Sequence, residues 1–188
     1  MKLLHLVCTL SGCLLLLSSS ISPVATPPNV DALVNDSVWF GNAQALRLEA
    51  RIDRPCTDKQ FGLSIQTDIP HGKGYYNRAA PITGCMSKCL PTQLFSIWGV
   101  PLKVGRYDLA KVQLCNKAAY PARYMLLDGG DASVAEFNGR EGWIDVTRYE
   151  PINKQIEGQF EATLRSSQGE VVRFTKGRFK TKLVVEFE

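Results

Sequence analysis

Hydrophobic and polar residues alternate with a period of two along the C-terminal part of the chain. In residues 156–165 every even position is apolar or glycine and every odd position is polar. The alternation returns in 178–187, where Phe179, Thr181, Leu183, Val185 and Phe187 interleave with Arg178, Lys180, Lys182, Val184 and Glu186. Between these runs, Val172 and Phe174 alternate with Arg173 and Thr175. Period two places one set of side chains on a core and the other in water, the pattern of a half-buried strand. Residues 166–169 and the pair Lys176-Gly177 carry turn chemistry. The C-terminal segment therefore predicts a three-stranded antiparallel meander, with Phe160, Leu164, Phe174, Phe179 and Leu183 in the core.

Upstream the pattern is weaker but of the same kind. Leu46, Leu48, Ala50 and Ile52 oppose Arg47, Glu49 and Arg51. Further strands are expected at 38–41, 61–67, 93–98, 107–114, 122–127, 133–137 and 142–149. After the N-terminal segment no helical period is sustained over ten residues. Many short strands separated by Gly/Pro turns predict an all-β domain, either an antiparallel β-sandwich or a closed β-barrel.

The N-terminus breaks this pattern. Met1-Lys2 leads into an apolar run over 3–17, interrupted only by His5, Thr9 and Ser11, and followed by three serines. A basic start, an apolar stretch of about 15 residues and small residues after it have the form of a secretory signal. The run is shorter than the about 20 residues that span a bilayer as a helix. Two processing routes remain open. One is cleavage after Ser20, giving a signal peptide over 1–20. The other reads Leu10-Ser11-Gly12-Cys13 as a lipobox, with a lipoprotein signal over 1–12 and an acyl chain on Cys13. Residues 21–36, with their prolines, are expected to be a linker, and 37–188 a single domain.

Export changes the meaning of the cysteines. Of six, Cys8 and Cys13 belong to the leader, which leaves Cys56, Cys85, Cys89 and Cys115 in the folded part. Four cysteines in an oxidising compartment predict two disulfides, with three connectivities open. The formal net charge of +4 is mild for a chain of 188 residues. It does not have the strong basic excess of a nucleic-acid binder.

Within this frame the segments 142–149 (GWIDVTRY), 156–162 (IEGQFEA) and 172–179 (VRFTKGRF) resemble the C-terminal pattern I-x-G-x-F-x-A … V-x-F-T-x-G-x-F of a family of uncharacterised secreted bacterial lipoproteins. Val100-Pro101 and Gly105-Arg106-Tyr107 are similar to its V-P … G-x-Y element. The resemblance implies export and an all-β domain, with glycines at bulges or turns and aromatics in the core. It implies no activity and no catalytic residues.

Two regions carry candidate chemistry. Residues 68–91 form a long connection containing His71, Lys73, Tyr75, Tyr76, Arg78 and two cysteines, and long loops are often functional or stapled. The ligand-binding alternative places those five side chains at a contact surface; the plainer one is a disulfide-held loop. Cys85-x-x-x-Cys89 with Met86 and His71 has soft-metal donors, but no βαβ pattern accompanies it, and disulfides, with no metal or cofactor, are expected. The second region is a basic strip, Arg173, Lys176, Arg178, Lys180 and Lys182. It suits an anionic glycan, or is an ordinary solvated strand face partly neutralised by Glu157 and Glu161. No nucleophile elbow or P-loop is present. The function expected is a non-enzymatic binding or structural component of the cell envelope, with no nucleic acid partner and with membrane contact only through an acylated Cys13. The alternatives are a lipocalin-like carrier of a small apolar ligand and, third, an enzyme using the His71 loop.

Overall fold

The computed structural model describes residues 28–48, 59–71, 82–85, 90–115, 118–128 and 133–186. Among them are nine strands and no α-helix, so the all-β expectation holds. The strands are β1 (Val30–Val34), β2 (Ser37–Leu48), β3 (Gln60–Thr67), β4 (Gln93–Pro101), β5 (Gly105–Asp108), β6 (Ala122–Leu127), β7 (Ser133–Glu150), β8 (Gln155–Ser166) and β9 (Val171–Glu186). They form one sheet in the order β5-β7-β6-β4-β3-β2-β1-β9-β8, and β7–β8 pairing closes its hydrogen bonds into a ring.

Long strands are shared between neighbours. The first half of β7 pairs with β6 and the second with β5, while its other edge runs along β8. In the same way β2 pairs first with β1 and then, from Ala45↔Leu183 onward, with β9. That last pairing is parallel, alone among the strand pairings of the described residues.

Four expectations are corrected. First, the expected linker contains a strand. β1 lies at 30–34 with Val30 and Ala32 buried, joined to β2 by Asn35-Asp36. Both turn residues have positive φ, 47° and 64°, as a two-residue hairpin whose twist matches its strands requires.

Second, Lys176-Gly177 is a bulge inside β9. Gly177 pairs with Phe160, Phe174 pairs with Ala162, and Lys176 takes φ 53°. An extra residue re-phases the strand, so the buried parity changes from Val172 and Phe174 to Phe179 and Leu183. The meander is therefore β7-β8-β9, and Gly142–Tyr149 and Ser133–Phe137 are parts of one strand bent at a register shift.

Third, the buried face of β2 is the odd one. Trp39, Ala43 and Ala45 are buried, which turns Leu46 outward and Arg47 toward the inner side at the strand's end. The register is set along the whole strand by Trp39 and its small neighbours, so the Leu46 alternation is overridden. Residues 49–58 lie outside the described residues.

Fourth, the strand expected over 107–114 stops at Asp108. Its Oδ1 accepts from Ala110 N (2.9 Å) and its carbonyl from Lys111 N (3.0 Å), turning the chain.

Among the described residues, large side chains occupy the centre of the ring. The Phe95 and Phe174 rings stack at 4.2 Å between centroids, and Phe95 stacks on Phe160 at 5.3 Å. Trp39 and Tyr124 meet the Phe174 ring edge-on at 5.2 and 5.1 Å. Phe61, Leu63, Ile65, Ile97, Ile144, Ile156 and Leu164 complete the core.

Candidate functional site

Three places bring polar chemistry together. The first is the connection from β3 to β4, where the sequence places its ligand-contacting loop. Lys73, Tyr75, Tyr76 and Arg78 lie outside the described residues. His71 is half-buried, with Nε2 2.7 Å from the Leu127 carbonyl. A carbonyl only accepts, so Nε2 carries the proton and donates it there. Beside it Asp68 is buried at 1% exposure. Its carboxylate accepts from Thr83 N (3.0 Å), Thr83 Oγ1 (3.1 Å) and Gly84 N (2.6 Å). Asp68 is thus a clamp that folds the loop back over β2, where Gly84 lies against the Phe40 ring. Thr92 Oγ1 donates to Ile69 O (2.5 Å), and Leu127 N donates to Thr92 O (2.8 Å).

This polar layer continues into the core. Gln93 is buried, and its Oε1 accepts from both Trp39 Nε1 (2.8 Å) and Tyr124 OH (2.7 Å). Its Nε2 donates to Ile69 O (2.9 Å). Burial pushes the Tyr124 phenol well above its ordinary range. The Gln93 bonds tie loop to strand and strand to strand, so the layer orders the fold at this end.

The second place is the basic strip on the outer face of β9. All five of its members are exposed. The bulge at Lys176 brings Arg173 onto the same face as Arg178, Lys180 and Lys182, which period two alone does not. Part of the charge is balanced. Arg178 pairs with Asp31 (3.0 Å) across β1, and Lys180 with Glu157 (3.0 Å) across β8. Glu157 also faces Arg148 at 3.6 Å. Glu161 accepts instead from Trp143 Nε1 (3.2 Å), while Arg106 stacks 3.8 Å over the Trp143 ring. An open groove of about 510 Å³ runs beside these pairs, lined by Asn29, Asp31, Gln159, Arg178 and Lys180 among others. With both signs of charge on its walls it favours neither anion nor cation.

The third place is a rim of which the sequence marks only Lys182, as a member of the basic strip. Arg47 at the end of β2, Lys154 in the turn after β7 and Lys182 on β9 line one depression of about 670 Å³ with Ile152, Asn153 and residues 183–185. Arg47 Nε is buried and has no hydrogen-bond partner. Ile152, at the tip of the β7–β8 turn, is 95% exposed. The cations come from three separate elements, so no local motif joins Arg47 and Lys154 to Lys182. The one local signal is an isoleucine between Pro151 and Asn153-Lys154.

Of the four folded cysteines, Cys56 and Cys89 lie outside the described residues. Cys85 is buried with φ 62°, and its carbonyl accepts from Asn42 Nδ2 (3.3 Å). Cys115 is half-buried. Neither is a free thiol. Among the described residues no group of three or more His, Cys, Asp or Glu converges as a metal site. No family model, no curated protein and no solved structure matches the chain.

Proposed function

We propose that the chain is an exported, non-enzymatic β domain that serves as a binding or structural component of the cell envelope. The observation that carries this reading is the filled interior, where Phe95, Phe160 and Phe174 stack through the centre of the ring. A carrier of the lipocalin type keeps that space for its ligand. Here the space is occupied by side chains, so ligands and partners meet the protein on its outer face and rims. The His71 ring gives its Nε2 proton to a backbone carbonyl, which supports a role in ordering the loop. Export is supported by the apolar leader, by the resemblance of the C-terminal segments to secreted lipoproteins, and by an even set of folded cysteines. The engaged state of Cys85 and Cys115 fits two disulfides formed outside the cytoplasm.

Two measurements test this. Native mass spectrometry of the purified protein is expected to return the mass of the bare chain. A co-purified apolar ligand at one per chain overturns the filled-core argument and restores the carrier. Cell fractionation with palmitate labelling of wild type and Cys13→Ala reads the export route. Label lost in the variant assigns a lipoprotein, label absent from wild type assigns cleavage after Ser20, and a chain retained in the cytoplasm overturns export.

A further inference from the structure

We infer that the rim carrying Arg47, Ile152, Lys154 and Lys182 docks on an anionic lipid surface, its groove taking a headgroup phosphate and Ile152 entering the interface. The inference rests on the envelope reading above and assigns the domain a membrane contact separate from any acyl chain.

Four observations carry it. Among the described residues lining the groove are three cations and no carboxylate. The acidic side chains of the adjoining hairpin are already engaged: Glu150 accepts from Arg148 and Asn153, and Glu157 from Lys180. The neighbouring groove beside Arg178 has its own carboxylates and is balanced. Among the described residues, this one has no carboxylate to balance its cations.

Arg47 supplies the second observation. Its Nε is buried with no acceptor, although a buried donor costs free energy until it finds one. A guanidinium offers a fork of donors that matches a phosphate, and two lysines beside it add point charges. A phosphate in the groove would meet the guanidinium that lines it, beside the two lysines.

Apolar exposure is the third. Ile152 is 95% exposed and Val184 47% exposed, next to Lys154 and Lys182. An apolar tip flanked by lysines suits the boundary between acyl chains and headgroups, where the apolar part is buried and the ammonium groups meet phosphate. In water the same isoleucine gains nothing.

The fourth observation is the direction from which the chain arrives. β1 is antiparallel to β2, so Pro28 and Asn29 lie on the side toward which β2 runs on to Arg47. Asn29 is fixed there by Ala43, whose N–H donates to its Oδ1 (2.6 Å). Ala43 precedes Arg47 by four residues, about 13 Å along a strand. β1 therefore begins on the side of the sheet that carries this rim.

The test is partition onto lipid vesicles. Cys13→Ala protein, exported and purified without detergent, is mixed with vesicles of phosphatidylcholine alone or with about a third phosphatidylglycerol, and the bound fraction is measured by sedimentation. Binding is expected to anionic vesicles only and to weaken as salt is raised. Lys182→Gln and Lys154→Gln are each expected to lower partition about fivefold, from the attraction of one basic residue to an anionic surface. Ile152→Ser is expected to weaken it several-fold on the same vesicles. Arg173→Gln removes an equal charge from the far part of β9 and is expected to leave partition unchanged. Equal binding to neutral vesicles, or an equal loss in Arg173→Gln, overturns the proposal. So does saturation of the groove by inorganic phosphate, followed by chemical shifts, with no vesicle binding; that result assigns a soluble anion instead. Fractionation reads export alone and vesicle partition reads the rim alone, so the two readings fail separately.

Discussion

Gln93 holds two buried donors on one oxygen. Trp39 Nε1 and Tyr124 OH come from opposite directions into the core, and both end on its Oε1. Unpaired, each of these groups costs about 1–3 kcal/mol. Gln93→Leu keeps much of the volume and removes the acceptor, leaving both donors stranded among Phe95 and Phe174. The expected loss in a denaturant titration is about 2–6 kcal/mol, the sum of two such penalties. Thr92 Oγ1 still supplies the Ile69 carbonyl, so the loop backbone keeps one of its two donors. A loss under about 0.5 kcal/mol would mean that the indole and phenol find other acceptors on their own. Nothing in the sequence marks this residue. Gln93 reads as an ordinary polar start to a strand, and its role appears only when β2, β4 and β6 are brought around one core.

Turns and bulges were the part of each element least legible in the sequence. Alternation located β3 and β8 well, because each keeps one buried parity from end to end; β4 and β6 change theirs only near their ends, at Val100 and Leu127. It failed where a strand changes parity. Lys176-Gly177 has the composition of a turn, and a bulge uses the same positive φ, so composition cannot separate them. Packing decides it: a Cβ on Gly177 comes within 2.6–2.7 Å of three atoms of the Phe160 ring. Gly177→Ala is therefore expected to destabilise by about 1–3 kcal/mol, as overpacking does in a full core. If Gly177 instead turned freely in solvent, the melting temperature would not move. The β1–β2 hairpin gives the opposite case. Asp36 sits at φ 64°, a conformation that costs a side chain more than it costs glycine. Asp36→Gly is expected to stabilise the hairpin by about 0.5 kcal/mol, since Asn-Gly is the preferred pair for this turn. Destabilisation in the same melt would show that the Asp36 side chain contributes to the turn.

At the scale of the molecule, the sequence showed an all-β domain with a basic C-terminal face but gave no sign of how the sheet closes. Closure brings together residues from the two ends of the chain, and period-two patterns are blind to partners. The seam lies beside the start of β1, where β9 takes over pairing with β2. There the Asn29 side chain stands in for a strand, accepting from Ala43 N (2.6 Å) and donating to Ala43 O (3.1 Å). Thr181 Oγ1 donates to the same carbonyl at 2.6 Å, and Lys180 N donates to Asn29 O at 2.9 Å. Asn29→Ala removes both side-chain bonds and leaves the Ala43 N–H without an acceptor inside the seam. The Ala43 carbonyl keeps Thr181, so the damage falls on one donor, about 1–3 kcal/mol. The loss is expected to be local before it is global. Amide exchange should speed up at Ala43 and at residues 45–48 and 183–186, where β2 meets β9, while the β7-β8 ladder keeps its protection. Uniform acceleration across all nine strands would instead mean that the ring opens only when the whole domain unfolds, and that Asn29 holds no special place in its closure.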